Sequence, residues 1–425
     1  MDQSIKQVKT LAGRISPPGD KSISHRALML NSISDGTAEI GNYLPCADVN
    51  STIGCLTALG VNIEAGPDRL VVHGAGSAGL SQAQDMLDAG NSGTTMRLLA
   101  GLLAPQPFFS TITGDESLRA RPMDRIIKPL RAMGANIWGN KSLAPLVIKG
   151  TELHGIEYRM PVASAQVKSA ILLASLYAQG NTTIVEPVRS RDHTERMLRA
   201  MGVALNITGN EVVCLPPGRL QAMNVTVPGD ISAAAYWLIA GTIHPDARIE
   251  LTGVGVNPTR SGILDVLTDM GARILVENER KEGAEPVADL VARSSELSGT
   301  EIGGNIIPRL IDEIPIIAVA ATMAKGTTTI RDAGELRVKE SDRIATTAME
   351  LRKMGAEIEE MLDGMVIHGT GRLHGTECDS HHDHRLTMAL AVAGLVAEGE
   401  TVIYNAEAAD ISYPGFWCDL EKISS

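Results

Sequence analysis

The stretch MGANI at residues 133–137 decides the fold of this chain, because it has four counterparts. LGVNI stands at 59–63, MGVAL at 201–205, MGARI at 270–274 and MGAEI at 354–358. A glycine one residue past a helix tolerates the left-handed backbone that closes it, so Gly60, Gly134, Gly202, Gly271 and Gly355 each predict a helix stop followed by a strand. Upstream of the stops lie five further helix starts, Lys21 (PGDKSISHRALML), Asn91 (GNSGTTMRLL), Ser164 (ASAQVKSAILLA), Asp230 (PGDISAAAYWL) and Asp312 (IDEIPIIAVAA), and a sixth, His384 (DHRLTMALAVA), follows the last stop. Most are followed by a strand led by a turn: GTAEIGN from Gly36, GNTTIVEP from Gly180, GTTTIRDA from Gly326 and GETVIYNA from Gly399. A unit of roughly 70 residues thus occurs six times, and such repetition sets the architecture. The sixth stop is missing and the chain ends at GFWCDLEKISS, so a first strand near Ile5 to Ile15 is expected to complete that unit.

Length and composition agree with an α/β fold in two domains. At 425 residues the chain exceeds one ordinary core. Three repeats span residues 17–227; three more span 228–425, with residues 1–16 returning to the second group. Pro and Gly at the two crossings, Pro17–Pro18 and Pro228–Gly229, suit a hinge, and the site is expected in the cleft between the halves. The 42 glycines and 3% aromatics fit many tight turns over an aliphatic core. A net charge of −12 argues against nonspecific nucleic-acid binding. The five cysteines are scattered with no C-x-x-C pair and read as reduced core thiols of a cytoplasmic protein. MDQSIKQVKT has no signal-peptide core, and the longest apolar stretch, Leu386 to Ala397, is too short to span a membrane. NERKEGAEPVAD at 278–289 reads as a polar surface excursion.

Helix N-termini favour anions, and these carry side chains suited to phosphate or carboxylate: Lys21, Ser22, Arg26, Asn91, Thr94, Arg97, Ser164, Gln166, Lys168 and Arg385. Such a local cationic set in an acidic protein favours a specific small anion. GDKS is not a P-loop, because Asp20 separates Gly19 from Lys21. Each motif also has a plainer reading. Asn91 or Ser92 could cap a helix; Arg119, Arg121 and Arg125 could form surface ion pairs; Asp312 could cap the helix after it. ELRVKESDR could be a solvated charged helix, with Lys339 and Arg343 four apart on one face beside Glu340. HHDHR at 381–385 lacks zinc-ligand spacing and reads better as a helix start aiming Arg385 at an anion.

Taken together, PGDKSISHRA, LDAGNSGTTMRLLAG, SLRARPM, ASAQVKSAILLA, IDEIPIIAVAA, ELRVKESDR and DHRLTMALAV resemble, in order and over the full length, the 5-enolpyruvylshikimate-3-phosphate synthase family in its bacterial class II form. The resemblance implies a two-domain inside-out α/β barrel of six β-α-β-α-β-β units. It implies transfer of the enolpyruvyl group from phosphoenolpyruvate to the 5-hydroxyl of shikimate 3-phosphate through a tetrahedral ketal, by a monomer with no cofactor or metal. Shikimate 3-phosphate would be held by Lys21, Ser22, Arg26, Ser164, Gln166, Arg191, Asp312 and Lys339. Phosphoenolpyruvate would be held by Lys21, Gly93, Arg121, Gln166, Arg343 and Arg385. Asp312 and Glu340, helped by Lys21, would carry the protons.

Two positions depart from the better-known class. Ile411 precedes Ser412-Tyr413-Pro414 where many members carry Lys, and Glu335 stands where they carry Asn. Gly93 occupies the spot where Ala accompanies glyphosate tolerance, so glyphosate is expected to compete with phosphoenolpyruvate. The related UDP-N-acetylglucosamine enolpyruvyl transferases use a loop Cys, and Thr111 to Pro122 contains none. RNA 3′-phosphate cyclases share the fold but lack these motifs. A binding-only protein would have no need of the two carboxylates.

Overall fold

The computed structural model describes residues 1–66, 68–215 and 219–424. All five glycine stops are helix caps, with φ between 88° and 97°. Each donates to the carbonyl three residues back, while the next N–H reaches the carbonyl five back. At the second stop these bonds are Gly134 to Arg131 and Ala135 to Leu130, both 2.9 Å. The leucine accepting the longer bond (Leu56, Leu130, Leu198, Leu267, Leu351) is buried every time. The cap therefore satisfies two carbonyls the helix leaves open and turns the chain over an apolar plug into the next strand.

Among the described residues six sheets result, one per repeat. In repeat three, Thr182–Val185 lies parallel to Glu157–Arg159 and antiparallel to Glu211–Cys214, which pairs with Leu205–Thr208. Repeats two and five have the same order. Repeat one takes its parallel strand from Val225–Thr226, beside Asp35–Gly41. The N-terminal segment is two strands rather than one. Gln3–Lys6 pairs antiparallel with Glu400–Tyr404 and completes repeat six. Leu11–Ile15 pairs parallel with Ala247–Gly255 and completes repeat four. Residues 278–289 include the exposed turn end of a strand pair, Arg273–Glu282 and Glu285–Arg293. A further correction concerns Cys418, which is exposed while Cys46, Cys55, Cys214 and Cys378 are buried.

The chain divides into two compact units, Met1–Pro18 with Pro228–Arg280 and Pro286–Ser425, and Gly19–Val227 with Lys281–Glu285. In the first, the helices Ile231–Ile243 and His384–Val396 are buried at every residue, and Ile314–Met323 at all but its last. Helices apolar on all sides have no face for water. They pack against one another, each also lying on the sheet of its own repeat. In the second unit the corresponding helices are Lys21–Ser32, Gly93–Leu103 and Ala165–Ser175. A Cβ on Gly101 would lie 2.2 Å from the Ala170 carbonyl oxygen, so glycine there permits the close helix crossing. Among the described residues, no helix is long and apolar enough to cross a membrane.

Candidate active site

In the unit formed mainly by residues 19–227, three helix starts converge. Asp20 and Ser92 cap the helices of repeats one and two by accepting from Ile23 and Thr95 N–H. Ser164 precedes the third without a side-chain cap bond. Lys21 Nζ meets Asp48 Oδ2 at 2.9 Å, both partly buried. Asn91 is not the cap; its Oδ1 accepts from Arg121 Nη2 at 2.7 Å, and its Nδ2 donates to Asp115 at 2.7 Å. Arg97 Nη1 donates to Gln166 Oε1 at 2.6 Å, and Gln166 Nε2 to Thr94 Oγ1 at 3.0 Å. A Cβ on Gly93 would stand 2.7 Å from Arg97 Nη1 and 3.7 Å from Arg121 Nη1, so Gly93, Arg97, Arg121 and Gln166 form one cluster.

Arg26 lies beneath it, nearly buried. It donates to Thr194 Oγ1 at 2.7 Å, Ser169 Oγ at 2.8 Å and the Ser22 carbonyl at 2.9 Å. Arg191 is half-buried, in the loop before the helix His193–Ala200. Lys168 is a correction. Its ammonium is fully buried and ion-paired with Glu186 at 2.8 Å and Glu195 at 2.7 Å, because its position on the helix points it away from the helix start into the interior. Burial holds His25 neutral, pushed down from 6.5 to about 3, with Asp48 opposing and Lys21 and Arg26 adding to the effect. Its Nδ1 bonds the Thr52 hydroxyl, which continues to Thr95, both at 2.7 Å.

The other unit builds its cluster on Asp312. This residue sits in a short 3-10 turn, Ile311–Glu313, ahead of its helix and does not cap it. Arg343 Nη1 and Lys339 Nζ stand 3.5 and 3.6 Å from Oδ1, and Arg385 Nη2 and Arg260 Nη1 stand 3.8 and 3.9 Å from Oδ2. Four cations thus surround one carboxylate. Glu340 accepts from Arg343 Nη2 at 2.7 Å. Lys339 and Arg343 do not share a helix face. Lys339 follows the 3-10 turn Gly334–Val338, whereas Arg343 opens the helix Arg343–Lys353 after the cap Asp342. The two meet at Asp312 because the chain turns between them.

Asp383 organises this cluster from below. It caps Arg385 N–H at 2.9 Å and accepts from Arg343 Nε at 2.8 Å. Burial opposes charge on both groups, but their attraction prevails and holds Asp383 below, and Arg343 above, the usual value. Burial likewise opposes the Arg385 charge, and Asp312, Tyr236 and Glu313 together outweigh it and hold Arg385 above its usual value. Ser232 donates to Glu313, and Arg260 donates to Asp230 at 3.0 Å and Ser232 at 2.9 Å. Glu335 lies half-buried in Gly334–Val338, and Ile411 half-buried at the end of Ala406–Ile411.

Sequence reasoning missed Asp48, Arg260 and the role of Asp383. Arg260 had a signal in the repeat itself. Like Arg121 and Arg191 it sits shortly before the second helix of its unit, here Gly262–Asp269. Asp48, in the first turn of Ala47–Ala58, had none that tied it to Lys21.

The six-repeat α/β fold, with anion-suited clusters at its helix starts, is similar to that of enolpyruvyl transferases. A solved enolpyruvyl transferase, NikO of Streptomyces tendae, shares the fold with a TM-score of 0.79 over 99% of this chain and 96% of that one, at 20% identity. The EPSP synthase of Acinetobacter baumannii matches with a TM-score of 0.90 and 42% identity over 100% of this chain and 98% of that one. The family model described as EPSP synthase (3-phosphoshikimate 1-carboxyvinyltransferase) matches residues 5–420. The 3-phosphoshikimate 1-carboxyvinyltransferase of Herpetosiphon aurantiacus is 55% identical over 100% of this chain and 99% of its own length. That of Thermoanaerobacter sp. is 53% identical over 100% of both. The chain belongs to the EPSP synthase family.

Proposed function

We propose that the chain transfers the enolpyruvyl group of phosphoenolpyruvate to the 5-hydroxyl of shikimate 3-phosphate, releasing phosphate, in the pathway to chorismate and aromatic amino acids. The observation that carries this reading is the Asp312 carboxylate ringed by Lys339, Arg343, Arg385 and Arg260, with Glu340 bonded to the same Arg343. The reaction brings two polyanions together and needs protons moved at two atoms. The acceptor hydroxyl loses a proton as its oxygen attacks C2 of phosphoenolpyruvate, while C3 gains one, giving a tetrahedral ketal phosphate. C3 then gives up a proton as phosphate leaves.

Asp312 takes the hydroxyl proton in this scheme, and Glu340, helped by Lys21, serves C3. A positioned carboxylate of this kind supplies about 10²–10⁴-fold. Lys21, Ser22, Arg26, Ser164, Gln166, Arg191 and Lys339 hold shikimate 3-phosphate, while Lys21, Gly93, Arg121, Gln166, Arg343 and Arg385 hold phosphoenolpyruvate. The cations offset the substrates' charge and stabilise the departing phosphate. We place the protein in the cytoplasm as a monomer. Glyphosate, an anion that competes for the phosphoenolpyruvate subsite, is expected to inhibit.

Phosphate release tests the proposal. Release is expected from phosphoenolpyruvate with shikimate 3-phosphate and not with UDP-N-acetylglucosamine. Release with the nucleotide sugar, or with neither acceptor, contradicts it.

A further inference from the structure

Lys168 belongs to no substrate contact, yet its side chain is fully buried in the unit formed mainly by residues 19–227. An ammonium is removed from water at high cost unless compensated. Here the compensation is generous: Glu186 at 2.8 Å, Glu195 at 2.7 Å and the Ser190 carbonyl at 3.2 Å. Two hydrogen bonds, to Glu186 and the Ser190 carbonyl, and the ion pair with Glu195 surround the ammonium.

Each of those acceptors leads to a residue proposed for the shikimate 3-phosphate site. The Ser190 carbonyl belongs to the peptide group joining Ser190 to Arg191, so Lys168 fixes the plane from which Arg191 departs. Glu186 grips the same residue from the other side, accepting from the Ser190 N–H at 3.2 Å and from its hydroxyl. On the far side of Arg191, Asp192 is held by Arg196 Nε at 2.7 Å. Glu195 lies one residue beyond Thr194 on the helix His193–Ala200, and Thr194 Oγ1 receives Arg26 Nε at 2.7 Å. Ser169, next to Lys168 on its own helix, closes the circuit through Thr194 at 2.7 Å and Arg26 at 2.8 Å.

From this geometry we propose that Lys168 is a positioning residue for shikimate 3-phosphate: its buried charge sets the loop that presents Arg191 and the helix that orients Arg26. The inference rests on the substrate reading above. Without the ammonium, two buried carboxylates face each other unneutralised, the Ser190 carbonyl loses a donor, and both carboxylates compete with the substrate for Arg26 and Arg191.

The test is steady-state kinetics of the full chain with each substrate varied at saturation of the other. In Lys168→Met the KM for shikimate 3-phosphate should rise about tenfold, the scale of one lost charge-assisted contact, with kcat and the KM for phosphoenolpyruvate within about threefold. Lost folding alone would lower the active fraction and leave both KM values unchanged, which would overturn the proposal. The triple variant Lys168→Met/Glu186→Gln/Glu195→Gln removes the charge imbalance, so it should recover thermal stability while keeping the raised KM. A KM restored to the wild-type value there would show charge burial alone and sink the inference. Should Lys168→Met fail to fold, Ser190→Ala gives the answer, with a rise of about threefold expected for one lost hydrogen bond and no change counting against the proposal. Arg191→Ala separates the two layers. A raised KM there with none in the Lys168 and Ser190 variants refutes positioning only, whereas no change in any of them refutes the substrate reading.

Discussion

Gly93→Ala is the sharpest small perturbation the structure offers. Gly93 opens the helix Gly93–Leu103 and shows no positive φ, so alanine fits the backbone and is the better helix former. The new methyl carbon would stand 2.7 Å from Arg97 Nη1, against an ordinary contact of 3.4 Å or more. The guanidinium must therefore withdraw by about 0.7 Å, since repulsion rises steeply inside contact distance. Arg97 now holds Gln166 Oε1 at 2.6 Å, and that withdrawal stretches the bond beyond the normal range for N–H···O. A hydrogen bond to a charged group is worth about 1.5–3 kcal/mol. Losing it shifts Gln166, and the methyl also crowds Arg121, so the KM for phosphoenolpyruvate should rise about 10- to 100-fold. The inhibition constant for glyphosate should rise with it; the KM for shikimate 3-phosphate should rise less, through Gln166 alone, and the melting temperature should stay near wild type. Initial-rate kinetics with each substrate varied, beside a thermal melt, is the assay. An unchanged phosphoenolpyruvate KM in a fully folded variant would refute the placement of that substrate against Gly93.

Other expectations are quickly checked. Asp312→Asn should lower kcat by about 10²–10⁴ with both substrates still binding, as seen by rates and titration calorimetry; a loss under tenfold would move the base elsewhere. The folded protein keeps His25 neutral down to about pH 3. Unfolded chains take up a proton below 6.5, so the stability from His25 is complete above that pH and lost as pH falls toward 3. About 2 kcal/mol should go between pH 6.5 and 5, and urea midpoints of His25→Gln should fall less over that window. Gly202→Ala meets no atom within 4 Å but must hold φ near +96°, so denaturation should show about 1–2 kcal/mol lost with activity intact. A disulfide-exchange reagent should find one fast thiol, removed in Cys418→Ser, since burial pushes Cys55 and Cys378 up to about 12.

The fold was legible where a local rule leaves a mark in the chain. A helix stop needs a residue that accepts positive φ, so five glycines announced five caps and with them the repeat. The double use of the N-terminus was hidden. Nothing in residues 3–15 marks the break between a strand for repeat six and another for repeat four, because strand partners lie hundreds of residues away. The candidate site residues at helix starts were legible for the same reason as the caps. Their partners were not: Asp48 reaches Lys21, and Asp383 reaches Arg343, only through packing. Lys168 shows the limit from the other side. A lysine near a helix start looked suited to phosphate, and only the three-dimensional turn of the helix places it inside, between Glu186 and Glu195.

The central claim is that Asp312 and Glu340 run an addition followed by an elimination, which makes C3 of the substrate a methyl group in passing. Turnover in D2O, followed by NMR of product and recovered phosphoenolpyruvate, tests this most directly. The account predicts deuterium in the C3 methylene of both, with Glu340→Ala and Asp312→Ala abolishing product and exchange. Product formed without any deuterium at C3, or with undiminished exchange in both variants, would contradict it.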